Sequence, residues 1–395
     1  MTSVRATASR LSRLLLTAVL ASPGALAGQS PIADGRGAAY PVVARDADAR
    51  MHRLAADVYA IVHDDATTTW PNGVTEWPHG NTGVVVGDDA VLVVDATYLP
   101  SRARADIALI RKVTTKPVRY LVNTHWHGDH THGNGVYQDS FPGLVLLGQT
   151  ANRDWIATNL DRYPRIVAAG AAGPSSGSDK QATIDRYAGW LASGRDSAGR
   201  ALTAGQRASL TENIRRRRLE ISDFATIRNV PPAVLFETKM VLHLGGRRVE
   251  LENRGRANSP ADVTVYLPAE RIMFTGDIVV YPVPFVGASH PLPWIDVLQA
   301  IERTPLATLV PGHGPPMQDL QYVGLLRELF EATRDRVRSA MRQGTLMADI
   351  VKQVELTDFR ARFLALPHPH VAEWWDGTPP ALVERMHQCV QGYRC

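Results

Sequence analysis

With 395 residues, 45% of them hydrophobic and 21% charged, the chain can bury one large core with additions or two or three modest ones, and its composition excludes a disordered, fibrous or disulfide-stapled protein. The formal net charge of +4 falls to 40 basic against 39 acidic residues once Arg5, Arg10 and Arg13 are set aside, so charge gives no ground for a nucleic-acid partner. Those arginines belong to residues 1–27, where an apolar stretch from Leu14 to Ala21, a Pro23-Gly24 break and the small-x-small end Ala25-Leu26-Ala27 form the pattern of a secretory signal peptide. The apolar stretch, roughly 8 residues, is far short of the ~20 that span a bilayer, so no stable membrane insertion is expected and the mature protein is placed in the periplasm or outside the cell.

After a polar, Gly-rich lead (28–50), apolar and polar stretches alternate from 53 to 97 as consecutive strands do, most clearly at 83–86 and 90–94 around the turn Gly87-Asp88-Asp89. The second of these strands ends at Asp95. A helix carrying Ile107, Leu109 and Ile110 and a strand at 118–122 follow. Helical spacing (Ile184, Tyr187, Leu191; Leu210, Ile214, Ile221) and a flexible stretch at 170–178 mark about 150–229 as a helical insertion, with Arg215 to Arg218 on a solvated face beside Glu212 and Glu220. Strands resume at 240–242, 249–251, 263–267, 272–274 and 308–310. Beyond Gln321 the pattern is helical, and Trp374 and Trp375 read there as exposed aromatics available for a dimer contact or for packing; the oligomeric state is open. Cys389 and Cys395 either close a small loop or remain free thiols. Strands in two batches, interleaved with helices, predict two packed sheets with helices outside, over 51–320, and a helical extension over 321–395.

The segment Thr124-His125-Trp126-His127-Gly128-Asp129-His130 carries the chemistry. Residues two apart on an extended strand end point the same way, so His125 and His127 can grip one ion, while the turn at Gly128 swings Asp129 and His130 to a neighbouring position. Imidazole and carboxylate donors suit zinc. Two further donors stand directly after apolar strands: Asp277 in Phe274-Thr275-Gly276-Asp277, a carboxylate able to bridge two cations, and His313 in Pro311-Gly312-His313-Gly314. His132 is read as outside the ligand set. Trp126 and Phe285 are candidate pocket walls, and His290 is either a substrate-facing or an ordinary loop residue.

These motifs, with the strand ending at Asp95, resemble the metallo-β-lactamase-fold hydrolase superfamily over about residues 50–320. The resemblance implies an α/β fold, an αβ/βα four-layer sandwich with two metals at one edge of the sheets. It assigns His125 and His127 to the first metal and Asp129, His130 and His313 to the second, with Asp277 bridging and Asp95 steadying the His-rich loop from behind. A bridging Asp is the arrangement of the thioesterase, lactonase and sulfatase branches. The chain departs from the pattern at the turn Gly255-Arg256-Ala257-Asn258-Ser259, where Asn258 stands in place of the third histidine of the first metal. Asn258 either lines or ligates the first site or is a turn residue; an amide oxygen is a weaker donor than imidazole for zinc, so the first site is expected to bind loosely, to take iron or manganese, or to stay empty.

The expected activity is hydrolysis of an ester, lactone, thioester or amide bond of a small molecule, or of a phosphate or sulfate ester. A hydroxide held between two zinc ions would attack, and Asp129 would act as metal ligand and proton acceptor. No convincing protein nucleophile stands in the sequence, which agrees with water as the nucleophile. Three alternatives stand beside this reading: a β-lactamase, a non-catalytic metal-binding protein with a degraded first site, and a mononuclear iron oxygenase acting on sulfur compounds.

Overall fold

The structure, a computed structural model, describes residues 40–63, 79–158, 180–369, 371–393 and 395. The proposed signal peptide (1–27) and the flexible stretch (170–178) lie outside the described residues. The first strands are β1 (Val42–Arg45), β2 (Ala49–Ala55), β3 (Val58–His63), β4 (Thr82–Val86), β5 (Val91–Val94), β6 (Val118–Val122), β7 (Val145–Gln149) and β8 (Val234–Phe236), hydrogen-bonded in that order into one sheet. Neighbours are antiparallel up to β5 and parallel from β5 to β8. The second sheet holds β9 (Lys239–Leu244), β10 (Arg247–Gly255), β11 (Asp262–Leu267), β12 (Ile272–Phe274) and β13 (Thr308–Val310), antiparallel except for the β12–β13 pair.

Strand alternation explains the layering. Val85 of β4 and Leu92 and Val94 of β5 point into a core shared with Leu251, Val263, Val265, Phe274 and Val310 of the second sheet. Their neighbours Val84, Val86, Val91 and Val93 point the other way, against Ile107, Leu109 and Ile110 of α1 (Pro100–Val113) and Tyr137 of α3 (Asn134–Ser140). Both faces are apolar because both are covered, as the uninterrupted valine runs require. On the far side of the second sheet, Met273 and Leu309 pack with Trp294 and Leu298 of α7 (Pro291–Glu302) and Leu326 and Phe330 of α8 (Gln321–Arg342). The result is the expected helix, sheet, sheet, helix sandwich. Between these elements lie α2 (Gly128–Thr131), α4 (Thr150–Thr158), α5 (Lys180–Ser193) and α6 (Ala204–Phe224). The last two pack through Ile184, Tyr187, Leu210 and Ile214.

Two readings are corrected. Trp374 and Trp375, on α11 (Val371–Val390), are buried, and Trp375 packs 4.6 Å from Phe363 of α10 (Thr357–Leu364), so neither offers an exposed contact. In the arginine run, Arg215 and Arg216 do pair with Glu212 on the helix surface, but Arg217 is buried. α9 (Met347–Gln353) completes the C-terminal helices. Cys389 and Cys395 are joined by a disulfide.

The parallel pairs position the chemistry. β5 runs parallel to β6 and β12 to β13, so the carboxyl ends of each pair, followed by Asp95, His125, Asp277 and His313, emerge on one edge, where α/β sheets bind ligands. The sheets are tied there by Val263 N donating to Thr124 O (2.9 Å), while Thr275 N donates to Val310 O (3.0 Å) at the end of the β12–β13 pair. Phe274 fills the inter-sheet core three residues before Asp277 and is almost fully buried. Phe274→Ala is expected to destabilise the fold by about 3–5 kcal/mol, read as a lowered denaturant midpoint at unchanged m-value.

Candidate metal centre

Asp95 follows β5 with φ 62°, and Thr97 has φ 58°, both in the left-handed region that side-chain-bearing residues rarely adopt. The strain is offset by three hydrogen bonds at 2.8 Å: the Asp95 carboxylate accepts from Thr124 N, Thr124 Oγ1 and His130 Nδ1. His130 is thereby fixed with Nε2 turned away from Asp95. Gly276, at φ 50°, lies where a Cβ would come 2.3 Å from Thr124 Oγ1, so only glycine lets the Asp277 turn close against the His-rich loop.

The donors converge in two groups that share Asp277: Asp129, His130, Asp277 and His313, and His125, His127 and Asp277. Within each group all ligand atoms lie within 4.8 Å of one another. Asp277 divides its oxygens between them. Oδ2 stands 3.6 Å from His125 Nε2 and 3.9 Å from His127 Nδ1, while Oδ1 stands 3.1 Å from His130 Nε2 and 3.4 Å from His313 Nε2. His125 Nε2 and His127 Nδ1 are 2.9 Å apart, and Asp129 Oδ2 is 3.0 Å from His313 Nε2. These spacings bracket the edge of a tetrahedron with ~2.0–2.1 Å arms, about 3.3 Å, so the donor set fits zinc-sized cations. All members are buried except His127 and Asp129, whose side chains are 21% and 30% exposed and mark the open side.

The charge states of His125, Asp129 and Asp277 agree with such a role, while a cation at His130 would have to displace a proton. Burial, with the positive field of His130, pushes His125 down to about 4, leaving its lone pair free at neutral pH. Burial acts to raise the Asp129 and Asp277 carboxyls, but the surrounding imidazoles hold both well below the usual carboxylate range. Burial opposes a charge on His130, yet Asp277, Asp129 and Asp95 together hold its pKa well above the ordinary imidazole value.

Asn258 is buried, and its Nδ2 donates to Phe285 O at 2.8 Å, while Oδ1 has no hydrogen-bond partner. Ala257 N and Ser259 N, on either side, donate to Asp262, a buried carboxyl that burial pushes up to about 8. Phe285, at the mouth, turns its ring edge-on to His127, with centroids 5.8 Å apart. Trp126, the other candidate wall, packs on Trp155 of α4 at 5.0 Å. His132 is outside both groups, its Nδ1 3.1 Å from Tyr98 O and its ring stacked on Tyr98. His290 is buried ahead of α7, with its N–H donated to Ala257 O. One participant escaped the sequence reading: Asn81 donates through N to Gly312 O (2.7 Å) and through Nδ2 to Pro311 O (3.0 Å) and Gly314 O (2.8 Å), bracketing the loop of His313.

The profile of the Metallo-beta-lactamase superfamily matches residues 75–313, and the chain belongs to that superfamily. It is 22% identical over 316 residues to the linear primary-alkylsulfatase of Pseudomonas sp. (strain ATCC 19151), covering 76% of this chain and 54% of that one. Among solved structures it is similar to the stereoselective inverting sec-alkylsulfatase Pisa1 from Pseudomonas sp. (15% identity, TM-score 0.53, 86% of this chain and 49% of that one). It also matches a metallo-beta-lactamase from Pontibacter korlensis (17% identity, TM-score 0.49, 72% and 99%). The chain spans about half the length of the two alkylsulfatases. Among the described residues no helix is long and apolar enough to cross a membrane.

Asp95→Asn keeps the side-chain volume but removes the charge that orients His130. Its apparent zinc affinity, measured by competition with a chromophoric chelator, is expected to fall about 10–100-fold with unchanged circular dichroism.

Proposed function

We propose that the chain is a metal-dependent hydrolase of an ester-type bond in a small molecule. The observation that carries this reading is the divided carboxylate of Asp277, with one oxygen toward His125 and His127 and the other toward His130 and His313. In the proposal His125, His127 and Asp277 hold one cation, and Asp129, His130, His313 and Asp277 hold the other. Zinc is the first choice for both, with iron or manganese as alternatives in the first. The catalytic unit is taken as 51–320, and export as directed by 1–27.

When bound, such a pair of cations lowers the pKa of a water toward ~7 and polarises the oxygen of the bond under attack. The residues supply the rest. Asp129, the partly exposed acid of the group, orients the attacking water and receives its proton. Asp95 and Asn81 hold His130 and His313 in register. Asn258 offers Oδ1, the amide atom left over from its bond to Phe285, where imidazole would be the stronger donor. The first group is therefore the weaker of the two. Sulfate monoesters join carboxylic esters, lactones, thioesters and amides as substrates to try, on the likeness to the two alkylsulfatases.

The test is elemental analysis of the purified chain together with turnover, after stripping and reloading with zinc, manganese or iron. The panel comprises alkyl sulfates, nitrophenyl esters, lactones, thioesters and a chromogenic cephalosporin. Expected are close to two equivalents per chain, activity lost with chelator and restored by metal, and loss of both metal and turnover in Asp277→Ala. Asn258→His should tighten the weaker site. A single equivalent or none, unchanged by Asn258→His and without turnover on the panel, overturns the reading in favour of a metal-binding protein. Cephalosporin turnover alone would make the chain a β-lactamase, and oxygen uptake with one iron would make it an oxygenase.

A further inference from the structure

Asp95 and Thr97 occupy the left-handed region, and such a backbone persists only where its surroundings over-determine it. Asp95 is held by its three hydrogen bonds, and Ala96 N donates to His130 O at 2.8 Å. Thr97 is fully buried and its hydroxyl has no hydrogen-bond partner, so its conformation has to be imposed by the chain that follows. That chain is gripped by the end of the helical insertion. Tyr98 donates its hydroxyl to Glu220 Oε1 at 2.9 Å, its ring stands edge-on to Phe224 with centroids 5.4 Å apart, and Leu99 is buried with Phe224 and Ile227. Ser101, in the first turn of α1, donates its N–H to Asp223 Oδ2 at 2.8 Å. Leu99, the residue ahead of α1, carries no side chain able to cap it, so a carboxylate of α6 does so across the fold. On its other side Tyr98 reaches the His-rich loop: its carbonyl lies 3.1 Å from His132 Nδ1, and the two rings stack at 5.5 Å.

Resting on the reading of the site as a metal centre, we infer that Glu220 and Asp223 are positioning residues for the second donor group. From α6 they fix the segment 98–101, which keeps Asp95 in its strained conformation and thereby keeps His130 Nε2 turned toward Asp277. Neither carboxylate belongs to the two donor groups, so the insertion serves the centre without supplying a donor. When the segment relaxes, the fraction of molecules with His130 in place falls, and the apparent affinity for the cation falls by the same factor.

The experiment uses the full chain and measures the zinc affinity of the tighter equivalent by competition with a chromophoric chelator, with a melting temperature for each variant. Asp223→Ala removes the cap of α1, and Tyr98→Phe removes only the hydroxyl donated to Glu220. Each is expected to weaken the affinity about threefold to tenfold, less than the loss of the Asp95 charge, because one more contact intervenes. Asp223→Asn, whose amide oxygen still accepts from Ser101 N, should stay within about twofold of the wild type. In an Asp95→Asn background Asp223→Ala and Tyr98→Phe should change the affinity by less than about twofold, since the route to His130 is already cut. A role confined to folding would lower the melting temperature equally in both backgrounds and leave the affinity alone. Glu212→Ala, on the surface of α6 where it pairs with Arg215 and Arg216, should also leave the affinity unchanged. Wild-type affinity in both Asp223→Ala and Tyr98→Phe, or losses that persist in full beside Asp95→Asn, overturns the inference while the metal reading stands; if Asp223→Ala does not fold, Tyr98→Phe decides alone. A wild type that takes up no zinc overturns both.

Discussion

A carboxylate that is only 3% exposed must be compensated, because an unpaired charge in such a place costs several kcal/mol. Asp277 is that carboxylate, and four imidazoles answer it from both sides. Everything else at the edge of the sandwich serves this convergence. The parallel β12–β13 pair, closed by the Thr275–Val310 hydrogen bond, brings His313 alongside Asp277, the Val263–Thr124 hydrogen bond holds the two sheets together, and glycines at 276 and 312 allow the approach. A Cβ at Gly312 would lie 2.1 Å from Asp277 Oδ1. A divalent cation on each side is the other way to neutralise the same charge, which is why the arrangement reads as a bridge and not as an ordinary buried ion pair.

On the proposed reading the two donor groups differ in strength, for a reason that lies in one side chain. A carboxamide carries a donor and an acceptor in one plane, and the Phe285 carbonyl can only accept, so it captures the NH2 end of Asn258. The oxygen is thereby committed to the opposite side, buried and without a hydrogen-bond partner. An unsatisfied buried acceptor costs about 1–3 kcal/mol, which a cation would recover. The second group has no such substitution: Asp129, His130 and His313 are present, and Asp95 and Asn81 brace them from behind.

Much of this was legible because the chemistry is local. Six residues, 125–130, hold four donors in an order that a strand end and a turn can present, and Asp277 and His313 each follow an apolar run short enough to be only a strand. The sandwich was legible for the same reason, since the apolar runs at 84–86 and 91–94 have nowhere to go except two covered faces. What stayed hidden depends on long-range partners. Asn81 acts on a carbonyl 230 residues away, and nothing in its own neighbourhood announces that. β7 and β8 are five and three residues long, too short to impose a period, and their pairing follows from the sheet they extend. Trp374 and Trp375 were misjudged because α11 carries Pro379 and Pro380 inside it, residues that in sequence signal the end of a helix, whereas here the helix continues and folds its aromatic face onto α10.

Asn258 also links the first group to the loop beside it. The amide that replaces an imidazole at the first group is the same one that pins the Phe285 backbone, so the weaker donor and that loop are fixed by one side chain. A histidine at this position could offer one ring nitrogen to a cation and the other to the carbonyl. On the proposed reading, one side chain therefore sets both the first group's hold on a cation and the backbone position of Phe285 beside His127, so a change at 258 moves the two together.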